Sequence, residues 1–466
     1  MPLRRKTQVA VVTEDYPGAA VTFTGANVID TIEAAEFSGD PELIAREPSG
    51  GSLSKQAEAV GAFSAEVSLA IDAKGSGTAA TEPSWGKLIE AAFAEQIDVD
   101  QINLTGTLSK QVEPGDVLTG GTSGATAVVM KRALVGASAV KVVVTSGSFS
   151  ASEALNSAQK GSGAGTTAAS SIITSAVGIA YRPLSDTATT AESTSSWSAG
   201  TPAAGEGLAI IVAGSVVGEG HFVSWSTGSP NVLTMELAYG TVPNGATVTS
   251  TSGSSITLSS PANVVTPKGA TVALRHNLDK LIQDLSSSRV TWTLTADAGN
   301  TGRLEFTVSG QPSSASEGER LTASGLATTT PPRFANGIMS LAGVLLPVKD
   351  VSFDAGNEVV QVADGNSANG IKGGAITGRD PSLSVTVEQA SLAGVDLFAH
   401  RAAGTTFGFG VQLGTTDGNT VVLCGPAAQV STISFADDSG ISTLSVQLML
   451  RAGSAAGDDE WYLAHV

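Results

Sequence analysis

Val290-Thr-Trp-Thr-Leu-Thr-Ala-Asp297, together with the Arg303-Leu-Glu-Phe306 that follows it, decides the fold because a similar stretch occurs 140 residues later. The second stretch is Val430-Ser-Thr-Ile-Ser-Phe-Ala-Asp437, followed by Thr443-Leu-Ser-Val446. Each has apolar and polar residues in near alternation, then an Asp/Gly turn, then a second alternating run, which predicts a strand, a turn and a returning strand. The alignment matches Leu304 with Leu444 and Phe306 with Val446, so we predict that one hairpin occurs twice.

A strand and a short amphipathic helix precede each hairpin. Residues 65–71 alternate as a strand and lead to Pro83-Ser-Trp-Gly-Lys-Leu-Ile-Glu-Ala-Ala-Phe93, whose apolar residues have helical spacing. Residues 383–387 lead in the same way to Ser391-Leu-Ala-Gly-Val-Asp-Leu-Phe-Ala-His400. The pattern predicts a strand, a helix and strands in each half, although unrelated antiparallel proteins also share alternating patterns.

Composition favours thin β-sheets with many tight turns. The chain has 466 residues, of which 15% are charged and 5% aromatic, and it contains 54 glycines. Its net charge of −18 argues against a surface that grips nucleic-acid phosphates, because such a grip needs clustered Lys and Arg. The single Cys424 lies in an apolar run and is expected to be a buried small hydrophobe without disulfide partners.

The N-terminal sequence predicts a protein that folds in a cytoplasm. Met1-Pro-Leu-Arg-Arg-Lys6 is basic, but no apolar core of a signal peptide follows it. No stretch approaches the length needed to span a membrane, so we expect no membrane partner.

Changes in local composition divide the chain into two repeats, the first of which is interrupted by two insertions. The predicted fold class is mainly β. The expected segments are 1–102 for the first part of repeat 1, 103–177 for an inserted β domain, 178–199 for the continuation of repeat 1, 200–267 for a second inserted β domain, 268–334 for the end of repeat 1 and a linker, and 335–466 for repeat 2. Insertions of this kind are often surface decorations.

The loop from Glu36 to Lys55 is polar and too long to be a simple connector. Long loops in compact domains are usually functional or disordered. We interpret this one as an arm that reaches a neighbouring subunit, with plain disorder as the alternative.

The chain carries few patterns typical of catalytic or metal-binding sites. The four histidines show no spacing typical of a metal site, and each is expected to be a lone exposed or half-buried side chain; they are His221, His276, His400 and His465. Gly161-Ser-Gly-Ala-Gly165 lacks the Lys-Ser/Thr of a phosphate-binding loop and is expected to be a flexible turn. We predict no metal, no cofactor and no enzymatic activity.

Two clusters of carboxylates have simpler explanations than catalysis. Asp437-Asp438 lies in the repeated turn, where turn geometry alone favours Asp. Asp458-Asp459-Glu460 is expected on a solvated C-terminal stretch. Catalysis by paired carboxylates or incidental Ca²⁺ binding are the alternatives for both clusters.

Four segments, taken in order, resemble a known protein family. They are Asn27-Val-Ile-Asp-Thr-Ile32 through Arg46, Val67-Ser-Leu69 with the helix at 83–93, Tyr181-Arg-Pro-Leu-Ser185, and Ala436-Asp-Asp-Ser-Gly-Ile-Ser-Thr-Leu444 ending near Gly457-Asp-Asp-Glu460. In this order they resemble the major tail tube proteins of long, non-contractile-tailed bacteriophages. The resemblance covers about two thirds of the chain and omits the two insertions.

The resemblance implies a duplicated tail-tube-type β-sandwich or barrel with one short helix per repeat, plus two small inserted β domains. Because related rings contain six tube folds, a chain with two would form a homotrimeric, pseudo-hexameric ring. Rings would stack into a tube through the long loop, with Phe37, Glu42, Leu43 and Arg46 as contact residues. The insertions would project outward.

The same resemblance implies the partners and the location. A tape measure protein would occupy the lumen, and tail terminator and distal tail proteins would bind the tube ends. DNA would pass an acidic inner wall without specific binding. The protein would be part of the virion tail, assembled in the host bacterial cytoplasm.

Two other classes of protein fit the sequence. A tail terminator or distal tail hub protein would share the fold but form a single ring. A β-rich adhesin or fibre would also be rich in Gly, Ser and Thr, and would be expected to carry a secretion signal or a trimeric coiled coil.

Overall fold

The computed structural model describes residues 7–466 except 15–17, 19, 46–56, 169, 171, 185–187, 194, 213, 228–230, 241–245, 259–270, 336, 366, 368, 389–394, 439 and 456. Antiparallel strands dominate the described residues, which confirms the prediction of a mainly β fold. The α-helices within them are α1 (Gly86–Ala91) and α2 (Leu397–Ala403).

The strands are numbered in chain order. Up to residue 183 they are β1 (Thr7–Thr13), β2 (Val28–Ile29), β3 (Glu36–Ser38), β4 (Leu43–Ile44), β5 (Ala59–Val60), β6 (Ala65–Asp72), β7 (Ala94–Asn103), β8 (Val117–Gly120), β9 (Thr126–Val129), β10 (Ala139–Ser146), β11 (Ala154–Ser157), β12 (Gly161–Thr166) and β13 (Ile173–Pro183). Next are β14 (Ala188–Ser193), β15 (Gly207–Val212), β16 (Ser215–Ser226), β17 (Asn231–Gly240), β18 (Thr247–Ser250), β19 (Ser255–Thr257), β20 (Val272–Leu278), β21 (Leu281–Asp297), β22 (Arg303–Pro312) and β23 (Ser316–Glu317). The last are β24 (Ile338–Leu341), β25 (Val344–Leu345), β26 (Val348–Asp354), β27 (Asn357–Ala363), β28 (Ile371–Arg379), β29 (Ser382–Glu388), β30 (Thr406–Leu413), β31 (Val421–Asp438), β32 (Ile441–Leu450) and β33 (Tyr462–His465).

The two halves of the chain have the same strand order. In the first half, hydrogen-bonded neighbours run β2-β1-β20-β21-β22-β6-β3. In the second half they run β25-β24-β30-β31-β32-β29-β26. The helices also match, since α1 follows β6 and α2 follows β29. Each of these seven strands in one half therefore has an equivalent at the same place in the other.

The repeated hairpins, β21–β22 and β31–β32, pair in registers that differ by one residue from the sequence alignment. Leu294 pairs with Leu304 in the first hairpin, whereas Phe435 pairs with Leu444 in the second. The cause is a bulge between Val430 and Thr432, which adds one residue to β31. Phe435 is thus the equivalent of Leu294, and the alignment that put Ser434 there is wrong.

Local sequence sets the ends of the two helices. α1 lies inside the predicted residues 83–93, and Phe93 has left the helical conformation with φ of 62°. α2 begins after Asp396, whose side chain accepts a hydrogen bond from Ala399 N at 2.9 Å. It ends at Gly404, whose φ of 64° is favourable without a side chain. The first residues of the helix predicted at 391–400 lie outside the described residues.

The first inserted segment forms a small β-structure that packs on the second half. Strands β8–β12 enclose their own apolar core, which includes Leu118, Val142 and Leu155. A separate apolar cluster joins this structure to β31 and β33. Lys141 Nζ also lies 3.1 Å from Asp417 Oδ1 on the second half. Residues 161–165 belong to strand β12, so their prediction as a flexible turn was wrong.

A six-stranded sheet of its own accounts for the second insertion. Its order is β14-β17-β16-β15-β18-β19, and its core includes Leu208, Phe222 and Leu233. Because β14 pairs along its whole length with β17, the sheet begins at Ala188 and not at the expected residue 200.

Candidate interaction surfaces

The four predicted contact residues of the long loop have different environments. Phe37 lies on β3, where it is half-buried against the main core and 6.0 Å from the ring of His276. Glu42 and Leu43 are exposed at the base of a hairpin formed by β4 and β5. Arg46 lies outside the described residues. A role for these residues in stacking rings stays a prediction.

The β4–β5 hairpin has an equivalent in the second half, the hairpin β27–β28. In the first, Leu43 pairs with Val60; in the second, Val359 pairs with Ile376. Thirty residues separate Phe37 from its partner on β6, and thirty separate Phe353 from its partner on β29. The paired strands within residues 36–72 and 352–388 therefore correspond one to one, with a constant offset of 316.

The β27–β28 hairpin reaches across to the first half, although Arg379 at its end contacts its own half. Asn357 Nδ2 donates to Val290 O at 3.2 Å and to Ala92 O at 2.9 Å. At the far end of the hairpin, Asn369 Nδ2 donates to Pro312 O at 3.0 Å. These contacts hold the arm of the second half against β21 and β22.

Strand β26 joins the two halves into one sheet. It pairs with β29 of its own half on one edge and with β21 of the first half on the other. We call this β21–β26 ladder the junction. Phe353 of β26 is fully buried there, with its ring 4.8 Å from Trp292 and 6.0 Å from Trp461. Aromatic packing of this kind stabilises beyond the area it buries.

The equivalent edge in the second half is uncovered. Leu294, beside β26 in the junction, is 1% exposed, whereas its equivalent Phe435 is 67% exposed. One face of the Phe435 ring stacks on Phe398 at 6.0 Å. Within the part of the chain that the structure describes, no strand pairs with residues 430–438 on the edge away from β32. We call these residues the open edge.

One continuous polar face runs over eight strands in the order β3-β6-β22-β21-β26-β29-β32-β31. The opposite face of these strands is apolar and contributes to the main core. Among the side chains that the structure describes, eight carboxylates occupy polar-face positions: Glu36, Glu66, Asp72, Asp297, Glu305, Asp350, Asp354 and Glu388. Most other positions hold Ser or Thr. The described cations on these strands are Arg303, Arg289 and Lys349. Arg303 lies 2.8 Å from both Glu33 and Glu305, Arg289 is largely buried opposite Ser309, and Lys349 is exposed in the bulge of β26. We call this surface the polar face.

The histidines divide into exposed and buried positions. His221 is exposed and His400 is half-buried, as predicted. His276 and His465 are buried, contrary to the prediction, and burial lowers the pKa of both. The described residues include no group of three or more His, Cys, Asp and Glu side chains placed to share a metal ion. Cys424 is buried as predicted, and burial raises its pKa to about 12.

The sequence predicted that the acidic C-terminal stretch is solvated, and this prediction is wrong. Arg379 contacts Asp458 and Glu460, the latter at 3.2 Å, and all three side chains are largely buried. Asp459 is also buried and accepts a hydrogen bond from Gly453 N at 2.9 Å. In the repeated turn, Asp437 accepts a hydrogen bond from Gly440 N, which is turn geometry.

A second correspondence in the sequence, besides the repeated hairpins, marks the arm and the junction. Phe37 and Phe353 correspond without a gap, as do Glu42 and Glu358, and Leu43 and Val359. Among known proteins, no family model and no curated sequence matches this chain. No helix in the described residues has the length and apolar character needed to cross a membrane.

Proposed function

We propose that this chain is a structural subunit that polymerises as stacked rings into a phage tail tube, the conduit through which DNA passes. One observation supports this most: two halves with the same strand order are joined edge to edge, so that their polar faces form one surface. A ring needs this head-to-tail repetition, because a heterologous contact closes only when the same step repeats around an axis.

The number of strands favours a ring of three chains. A barrel of eight strands is filled by its own side chains, so one chain cannot enclose a channel. Three chains would supply 24 strands, and a strand spacing of about 4.8 Å with a tilt of about 40° gives a backbone diameter of roughly 45–50 Å. Such a barrel leaves room for a DNA duplex after side chains are added.

The polar face is suited to line the lumen. Specific and non-specific DNA binding both depend on Lys and Arg that displace counterions from phosphates. The described polar face has eight carboxylates, and the cations on its strands are fewer: Arg303 is engaged by Glu33 and Glu305, Arg289 is largely buried, and Lys349 lies in the bulge of β26 next to Asp350. DNA would therefore pass without strong attractive contacts between its phosphates and the wall. The tape measure protein would occupy the same lumen before DNA, and terminator and distal tail proteins would bind the ends.

Electron microscopy of virions, or of concentrated purified protein, tests the proposal. Averaged tubes of stacked rings, with an open lumen and threefold symmetry, are the expected result. Isolated single rings would favour the tail terminator or distal hub alternative. Solid fibres without a lumen would contradict both and favour the adhesin or fibre class.

A further inference from the structure

In the junction, a strand edge of one half is covered by a strand and a hairpin of the other. Each end of the chain carries an equivalent of only one of these two partners. At one end, β31 carries the open edge, the equivalent of the part of β21 that β26 covers. At the other end, β3 is the equivalent of β26, and the β4–β5 hairpin is the equivalent of the arm β27–β28. The strand and the arm that dock within the chain therefore have copies that pair with no further strand within the described residues, although Phe63 N, at the base of the β4–β5 hairpin, donates to Asn369 O.

We propose that β3 and the β4–β5 hairpin of one copy dock on the open edge of a second copy in the register of the junction. The proposal rests on the proposed ring and specifies its chain-to-chain contact. In the junction Phe353 pairs with Leu294 and Asp354 pairs with Thr293. The constant offsets then place Phe37 opposite Phe435 of the next chain, and Ser38 opposite its Ser434.

Exposed apolar side chains at both ends support a second copy as the occupant. Phe435 is 67% exposed and Ile441, in the same hairpin, is 56% exposed. On the β4–β5 hairpin, Leu43 is 60% and Val60 is 69% exposed, whereas their equivalents Val359 and Ile376 are half-buried. Apolar residues clustered at an unpaired sheet edge are a liability unless another strand covers them. A docked β3 and arm would cover both groups at once.

This contact lies within a ring and not between rings. The arm β27–β28 contacts the neighbouring half in the same sheet, through Val290 and Pro312. The β4–β5 hairpin would reach in the same direction over β31 and β32 of the next chain. β3 and the β4–β5 hairpin then form a lateral clasp that holds the ring closed.

Mixed disulfides test the register directly. Two variants with one added cysteine each, Ser38→Cys and Ser434→Cys, are purified separately, mixed and oxidised mildly. Native Cys424 is fully buried and does not compete. The expected product is a covalent dimer containing one chain of each variant. Neither variant alone should give it. In-chain closure of the double variant T293C/D354C, at the equivalent pair, is the positive control.

A register-shifted pair makes the test specific. Mixing Glu36→Cys with Ser434→Cys would place the cysteines diagonally, about 7–8 Å apart, which is at or beyond disulfide reach. The yield from the Ser38 and Ser434 variants should exceed this by about tenfold, since their Cα atoms would be direct cross-strand neighbours. An equal or lower yield, or dimers of one variant with itself, overturns the inference.

Microscopy of the same unmodified protein separates this inference from the proposed function. Rings or tubes without the mixed disulfide would leave the tube standing and show that the chains meet elsewhere. The mixed disulfide without any ring or tube would keep the edge-to-edge contact and count against the tube.

Discussion

Truncating Phe353 to Ala should destabilise the isolated chain strongly, because this ring fills the junction between the halves. Its side chain is fully buried and its ring lies 4.8 Å from Trp292. Removing a buried Phe costs about 3–5 kcal/mol in total, lost aromatic contacts included. We therefore expect the free energy of unfolding to fall by about 4 kcal/mol.

The matched control is Phe435→Ala, at the other end of the composite sheet. Phe435 is 67% exposed and its contact in the chain is one face of Phe398. Exposed positions usually change stability by about 0.5 kcal/mol or less, so the loss here should stay below about 1 kcal/mol. The same substitution should abolish ring formation, because it removes the side chain proposed to face Phe37 of the next copy.

Urea unfolding followed by tryptophan fluorescence measures both effects in dilute solution. Trp292 and Trp461 both contact Phe353, so their emission reports the junction itself. With a denaturant slope of about 3 kcal/mol per molar, a loss of about 4 kcal/mol should make the Phe353 variant unfold at a urea concentration about 1.3 M lower. The reasoning is refuted if Phe353→Ala unfolds within 0.3 M of the unmodified protein, a shift of about 1 kcal/mol, or if Phe435→Ala costs as much.

Three further predictions concern other parts of the molecule. Burial, with a smaller contribution from Glu82, raises the pKa of Glu90 to about 7, so the folded state is favoured when this carboxyl is protonated. The free energy of unfolding should therefore fall by up to about 3 kcal/mol as the pH rises from about 4.5 to about 7. Glu90→Gln should remove this pH dependence, which thermal unfolding at about pH 5 and about pH 8 measures. Thr295→Lys puts a cation on the polar face and should make assembled tubes retain DNA in a salt-dependent way in a filter-binding assay, and unchanged retention would argue that this face is not the lumen. Arg379→Met leaves two largely buried carboxylates without their cation and should lower the melting temperature through a loss of about 2–3 kcal/mol, whereas a change within 1 °C would show that solvent already screens them.

The repeated strands could be predicted from sequence where one face of the strand is apolar and the other polar, because the residues then alternate. Residues 290–297 and 65–71 alternate because one face packs in the core and the other carries Ser, Thr and acids. β3 was not readable, because three residues are too few to show a period. The bulge at Val430 was also hidden, since an extra residue in a strand has no fixed sequence signature and shifts the apparent alignment by one.

Tertiary contacts decided the remaining differences. Residues 161–165 are rich in glycine, which suggests a turn, but they form a strand because β11 pairs with them. The acids at 458–460 were expected in solvent because their partner Arg379 is distant in sequence. The open edge could not be predicted at all, since the exposure of Phe435 depends on which strand is missing beside it.

The in-chain connection between the halves gives the two kinds of contact different concentration dependences. The junction forms within one molecule, so dilution does not weaken it. The contact at the open edge needs a second molecule and obeys mass action. A cell could therefore hold the chain as a folded, inert arc while it is scarce and let it close into rings only when enough copies have accumulated.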